Sequence, residues 1–309
     1  MGQEALPFAL AMGRRHGQSV ELVHVHEPLP PLPVVPQVEA RFDREQREWM
    51  QRWLTALAET AARQHGQRVT ATFLDGPVER TLEGYIGSQA PGLVVMATHG
   101  RGGLSRAWLG SVADRLVRHI RPPVLLVRPE HGRAATAEAP EFHRVLVPLD
   151  GSKLAEQALE SALALGAPGE VEYTLLTMVE PPQLSTPSVM MAVAASTAGN
   201  EREALAQIAA LRQAAAERYL TQIGNELQRR GVAVRTHLAV QPQPAQGILE
   251  YAAATHADLI ALATHGLGGV ARLLVGSVAD KVIRGAPVPV LVVHPTAPGR
   301  RPRNPGPPQ

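Results

Sequence analysis

The chain has 309 residues, 45% hydrophobic and 19% charged, with a formal net charge of +2 at pH 7 and no cysteine. That length and balance fit two ordinary globular domains with a core each and exclude a disordered polar chain. The missing thiols exclude disulfides, thiolate nucleophiles and cysteine zinc sites and fit a reducing cytoplasm, while no apolar run approaches the roughly 18 residues of a membrane span and no signal-peptide pattern opens the chain.

In chain order, residues 5–15 have helical spacing and residues 20–26 read as a strand, on which His24 and His26 face the same way. A metal pair there lacks an evident third ligand. Residues 27–36 are Pro-rich. Residues 42–65 read as a long helix with Trp49, Trp53 and Leu57 on one face, a face expected to pack in the core or between domains. Residues 69–74, 93–98 and 123–127 read as further strands. Residues 128–142 carry Gly132, two alanine pairs and Pro140, as a linker does.

The second half repeats the order more cleanly. Residues 144–149 form an apolar run closed by Asp150-Gly151-Ser152, a strand ending in a turn. A helix at 155–165 stops at Gly166, and a strand covers 172–179. A Pro- and Ser-rich loop, with Met190-Met191 as an adaptable apolar contact, runs to about Asn200. A long helix at 201–230 ends at Gly231. Strand 232–239, helix 245–257, strand 258–264, helix 277–284 and strand 289–293 complete the half.

Strands alternate with helices throughout, and several strands are apolar on both faces, the signature of a parallel sheet covered on two sides. The fold expected is α/β, two tandem doubly wound Rossmann-like domains with five parallel strands each. The divisions expected are domain one at 1–130, a linker at 131–141, domain two at 142–296, and a disordered basic Pro-rich tail at 297–309. The strand and turn that open the second half have no counterpart ahead of residue 5, so domain one is expected to lack its first strand here; a true start upstream, another segment filling the gap and a rearranged first domain are the three readings open. In a doubly wound sheet that strand is central, and its loss leaves two rows of backbone groups without partners.

One motif stands in both halves. Ala97-Thr98-His99-Gly100, then nine residues, then Gly110-Ser111-Val112-Ala113-Asp114 recurs as Ala263-Thr264-His265-Gly266, nine residues, and Gly276-Ser277-Val278-Ala279-Asp280. Each copy leaves a strand's C-terminal end and enters a helix N-terminus, the edge where open α/β sheets bind ligands. The glycines let backbone approach a ligand closely, and the helix start offers N–H groups suited to phosphate. Ser277 is expected to cap that helix, with Asp280 completing a capping-box-like arrangement. Lys153 and Lys281 are the only lysines and neither lies in the loop, so phosphate would rest on backbone N–H groups and the serine hydroxyl. No Gly-x4-Gly-Lys-Ser/Thr is present, which excludes a P-loop NTPase. Gly266-Leu-Gly268-Gly-Val-Ala271 meets a loose dinucleotide pattern but follows the fourth strand, not the first. His99 and His265 read as backbone-positioned loop residues, with no nucleophile or carboxylate at a spacing that would make them general bases.

These residues resemble the universal stress protein family, as a tandem two-domain member of its ATP-binding branch, over nearly the whole chain. That branch carries Gly-x-x-Gly-x9-Gly-(Ser/Thr). Gly266, Gly276 and Ser277 match the last three anchors, as do Gly100, Gly110 and Ser111, while Ala263 and Ala97 replace the first glycine. The resemblance implies an adenine nucleotide alpha hydrolase-like fold and ATP, alone or with Mg²⁺, as ligand. It implies that Asp150 with Gly151 contacts the adenosine, that Pro148 and Met178 line its pocket, and that groups around Ala263, His265, Gly266, Gly276, Ser277 and Val278 hold ribose and phosphates. In copy one Val25, Ala97, His99, Gly100, Gly110, Ser111 and Val112 match, without a residue equivalent to Asp150, so domain two is the better expected site. The resemblance also implies pairing of the two domains through their last strands, residues 124–127 and 290–293, and homodimerisation as a further expectation. No membrane partner is expected, and the basic tail Arg300-Arg301-Pro302-Arg303 is read as solubilising, not as a nucleic-acid contact.

The leading expectation is a cytoplasmic, ATP-binding regulatory or stress-response protein rather than an efficient enzyme. A slow ATPase or nucleotidyl-transfer enzyme on the same fold is the first alternative, though Asp150 and Asp280 are the only carboxylates near the expected phosphates. A nucleotide-free scaffold or chaperone-like module is the second, favoured by the two alanines.

Overall fold

The computed structural model describes residues 3–28, 36–98, 109–128, 141–166, 169–196, 200–264 and 275–294. Residues 131–140 of the expected linker at 131–141, the loops after Thr98 and Thr264, and the tail beyond residue 294 lie outside them. The chain divides into two compact units, residues 1–142 with 287–289, and residues 143–286 with 290–309.

In the first unit a 3₁₀ turn, Gln3–Ala5, leads into α1 (Leu6–Arg15). There follow β1 (Val20–His26), α2 (Pro36–His65), β2 (Val69–Asp75), α3 (Val78–Gln89), β3 (Val94–Ala97), α4 (Ser111–His119) and β4 (Val124–Val127). β1 pairs with β2 in parallel along its whole length, Val20 opposite Val69 and His26 opposite Asp75. β3 pairs in parallel with β4, but among the described residues no ladder joins β1 to β3. Among those residues the unit shows two separate strand pairs.

The phase of α2 differs from the sequence reading. Leu54, Ala58 and Ala61 are its buried residues, Ala61 joining Leu10 and Val20 in a small core, while Trp49 is 56% exposed and Trp53 and Leu57 are half-buried. Two small residues let the helix lie close on β1 and β2, and the stripe that carries them wins over the bulkier one beside it.

The second unit contains β5 (Arg144–Pro148), α5 (Lys153–Leu165), β6 (Glu172–Val179), α6 (Pro187–Ala194), α7 (Glu201–Arg229), β7 (Ala233–Val240), α8 (Pro244–Ala254), β8 (Leu259–Ala263), α9 (Ser277–Gly285) and β9 (Val290–Val293). Its strands run β9-β8-β5-β6-β7, every ladder parallel. Val147, Leu175, Leu176, Leu259, Ile260 and Leu291 are fully buried, each worth about 1.5–3 kcal/mol of apolar burial. The stretch read as a loop before Asn200 contains α6. Proline starts that helix, and its apolar residues continue it. α5 starts at Lys153, earlier than its apolar periodicity suggests, because Ser152 caps it by accepting from the Ala155 N–H at 3.1 Å.

Candidate functional site

In the second unit β5 leads to β6 on one side, while β8 and β9 lie on the other, so chain order reverses between β5 and β8. The β5–β8 ladder holds Val145 opposite Leu259 and Leu146 opposite Ile260 and goes no further. β5 stays paired with β6 as far as Pro148 opposite Leu176, and β8 with β9 as far as Ala263 opposite Val293. The two central strands therefore diverge at their C-terminal ends and open a crevice at the switch point, the place such sheets use for ligands.

The residues singled out from the sequence collect at that edge. Pro148 is half-buried at the end of β5, and Asp150 is exposed just beyond it. Gly151 has φ +86°, a left-handed conformation that glycine adopts without strain. Asp150 Oδ1 accepts from the Ser152 N–H at 3.0 Å and from the Ser152 hydroxyl at 2.6 Å. The turn thus aims the carboxylate from both sides, through the same serine that caps α5. Thr177 Oγ1 donates to the Leu149 carbonyl at 3.0 Å and ties β6 to this turn. Met178 is half-buried and lies beside Gly247 of α8, where even a Cβ would come within 2.9 Å of its Cε, so its thioether fills the gap between β6 and α8.

On the other side of the crevice the loop after β8 is closed at its base. The Gly276 N–H donates to the Thr264 carbonyl at 2.8 Å, and the Asp280 N–H continues into α9 by donating to the Gly276 carbonyl at 2.9 Å. A Cβ on Gly276 would stand 3.3 Å from the Thr264 oxygen, so this position requires a small residue because of close approach. Its backbone, φ −59° and ψ 149°, is open to any residue. Gly276, not Ser277, is the N-cap of α9, and among the described residues no side chain caps that helix. Ser277 is the first helical residue and is exposed, and Asp280 bonds Arg284 Nε at 3.0 Å instead of reaching back to the cap. The expected capping box is thus absent: a Gly-Ser pair suits two registers of the helix start, and the pinch at Thr264 selects the earlier one. The N–H groups of Ser277 and Val278 consequently point out of a helix end that carries no side-chain cap, a disposition suited to an anion.

The first unit repeats this geometry. The Gly110 N–H donates to the Thr98 carbonyl at 2.9 Å, Gly110 caps α4, and Asp114 bonds Arg118 Nε at 2.8 Å. Ser111 is exposed and Val112 half-buried behind it. Ala97 ends β3 opposite Val127, as Ala263 ends β8 opposite Val293. Val25 lies on the other strand pair, opposite Leu74, and among the described residues nothing stands where Asp150 stands in the second unit. His99, Gly100, His265 and Gly266 lie outside the described residues.

Thr98 and Thr264, both buried, are the site residues that sequence reasoning missed. Their signal was in the repeat itself, each lying between the first-anchor alanine and the histidine. His26 is buried against Asp43, its Nε2 2.8 Å from Oδ1, with the Phe73 ring stacked beside it. Among the described residues no group of three His, Asp or Glu side chains could hold a metal ion. A groove of about 300 Å³ between α5 and α7 is lined by Lys153, Glu156, Glu160, Glu226 and Arg230. Two ion pairs stand in it, Lys153 on Glu156 and Arg230 on Glu160, each at 2.8 Å.

Two α/β repeats, each with a threonine carbonyl meeting the glycine that starts a helix at the C-terminal strand edge, define the architecture. A model of the universal stress protein family matches residues 1–128 and again 141–294, and the chain belongs to that family of stress-response proteins. A universal stress protein of Mycobacterium tuberculosis is 32% identical over 208 residues, 65% of this chain and 61% of its own length. One from Mycolicibacterium smegmatis is 26% identical over 296 residues, 94% of this chain and 92% of its own. The crystal structure of a universal stress protein from Archaeoglobus fulgidus shares the fold with a TM-score of 0.64 at 20% identity, over 95% of this chain and 92% of that one. Among the described residues no helix is long and apolar enough to cross a membrane.

Proposed function

We propose that the second unit binds ATP at the crevice between β5 and β8 and that the protein acts in stress response through this binding, not through rapid turnover. The observation that carries this reading is the divergence of β5 and β8 between an oriented carboxylate, Asp150, and a helix start without a side-chain cap at Ser277. In this reading Asp150 accepts from the ribose hydroxyls, Pro148 packs against the adenosine, and the N–H groups of Ser277 and Val278 with the Ser277 hydroxyl hold phosphate. Bound ATP would contribute the negative charge that the helix start attracts, with or without Mg²⁺. Turnover is disfavoured because Asp280 is held by Arg284 and Lys153 by Glu156, which leaves neither disposed to steer a phosphoryl transfer. Binding would shift populations toward a signalling form.

Calorimetric titration of the purified chain with ATP tests this. Saturable heat is expected for the native protein and none for the Gly276→Val, Ser277→Ala double variant. Absence of heat with the native protein, and no shift in its melting temperature, would overturn the reading. A nucleotide-free scaffold is the second reading, favoured by the pinch at Thr264, which gives Gly276 a structural reason to be small whether or not a ligand binds.

A further inference from the structure

Gly247 is buried in the interior of α8 without a conformational reason to be glycine. Its φ is not positive, and glycine is among the poorest helix formers. Its N–H donates to the Gln243 carbonyl at 3.1 Å, as that of any helical residue would. What the missing Cβ supplies is space. A Cβ there would stand 2.9 Å from Met178 Cε and 3.0 Å from its Sδ, inside van der Waals contact, and 3.3 Å from Gln241 Cγ. The first unit carries the reciprocal pair. Thr81 holds the place of Gly247, its N–H donating at 3.0 Å to the carbonyl of Pro77, the residue before α3, as Gly247 does to the residue before α8. Val25 holds the place of Met178, opposite Leu74 as Met178 is opposite Ala239. The longer side chain on the strand thus goes with the helix residue that has none.

The register puts this pair beside the crevice. Pro148 lies opposite Leu176, and the Leu149 N–H donates to the Leu176 carbonyl, so Met178 comes level with the Asp150 turn. The β5 ladder has ended there, while on the other side Met178 has β7 beside it, with Gln241 just beyond. A thioether denied its place on α8 has the mouth of the crevice to move into. On the reading that this crevice takes ATP, we propose that Gly247 is a positioning residue for the nucleoside end of the site. It draws Met178 against α8 and so leaves room for the adenosine beside Pro148 and Asp150. Methionine is flexible enough to turn without disturbing its strand, so a side chain at position 247 shuts the pocket and leaves the fold intact. The phosphate end, at Ser277 and Val278, draws on a different helix and is not touched.

Gly247→Ala in the full chain, titrated calorimetrically with ATP and separately with inorganic triphosphate, tests the proposal. ATP affinity is expected to fall at least about tenfold, the scale of one methylene too many in a pocket, with triphosphate affinity unchanged within about twofold. Met178→Val removes both atoms that the new methyl would meet, so in that background Gly247→Ala should change ATP affinity by less than about twofold. In methionine-methyl NMR the Met178 Cε methyl should contact Gly247 in the native protein and the Asp150-Gly151-Ser152 turn in the Gly247→Ala variant. Equal ATP affinity in native and Gly247→Ala protein overturns the proposal, as does a Cε methyl that stays on α8 in the variant. An equal loss of triphosphate binding, or a loss that Met178→Val does not relieve, overturns it as well, because Gly247 would then serve packing alone. Native protein that gives no heat with ATP overturns the ATP reading itself, and the nucleoside pocket falls with it.

Discussion

Gly276 is small for reasons that can be separated. Its φ and ψ suit any residue, and a methyl group there would sit 3.3 Å from the Thr264 oxygen, close but not prohibitive. Gly276→Ala also removes freedom from the unfolded chain, which offsets some of any crowding by about 0.4–1 kcal/mol. The expected outcome is a melting temperature within a few degrees of the native value, with ATP affinity at least tenfold weaker by calorimetry. Equal affinity would mean that the glycine serves the pinch alone. His24 carries a prediction of the opposite kind. Burial first, and the neighbouring His26 second, hold its pKa below 6.5. Folding therefore favours its neutral form, so its contribution is present above about pH 6.5 and is lost as pH falls through the lower folded value. Histidine NMR titration should show His24 protonating below the free value. Tyr219 is shifted upward, by burial first and then by Glu156, whose Oε1 accepts its hydroxyl at 3.4 Å. Its neutral phenol stabilises the fold below about pH 10, and that contribution is lost as pH rises through the higher folded value, which ultraviolet titration of native protein against Tyr219→Phe would report.

At the scale of elements, the helix starts separate structural serines from a ligand serine. Ser152 caps α5 and also donates to Asp150, so Ser152→Ala should cost about 1 kcal/mol in urea denaturation and weaken ATP binding as well. Ser277 caps nothing, so Ser277→Ala should leave stability within about 0.5 kcal/mol while lowering ATP affinity. From sequence the two serines look alike, each small and polar before a run of helix formers. Which one caps depends on where a carbonyl from another strand meets the preceding residue, and Thr264 supplies that carbonyl only once β8 and α9 are packed. The long helix α2 shows the same limit. It carries two apolar stripes one residue apart, and the choice of Leu54, Ala58 and Ala61 over Trp49, Trp53 and Leu57 was made by how close the helix can lie to β1 and β2.

At the scale of the molecule, the units should differ in stability. The first lacks, among its described residues, the strand that would tie its two pairs together and leaves β3 half-buried, while the second buries Val145 to Val147 of β5 and Leu259 to Leu262 of β8. Two calorimetric transitions are expected, with amides of β1 and β3 exchanging well before those of β6 and β8, and with ATP raising the upper transition. A single transition with uniform exchange would contradict this. What the sequence determined by itself is the architecture and its duplication. Strand runs apolar on both faces, helices between them and a motif set down twice specify a doubly wound sheet, because burial on two sides leaves that pattern few other folds. It also pointed to the C-terminal strand edge, where Asp150 follows β5 and Gly276 precedes α9. The tertiary structure alone decided that β5 and β8 diverge once Leu146 has met Ile260, that Thr264 pinches the base of the loop, and that Gly276 and not Ser277 caps α9. Each of those depends on backbone groups distant in sequence finding or failing to find a partner, and a linear pattern of side chains carries no record of that distance.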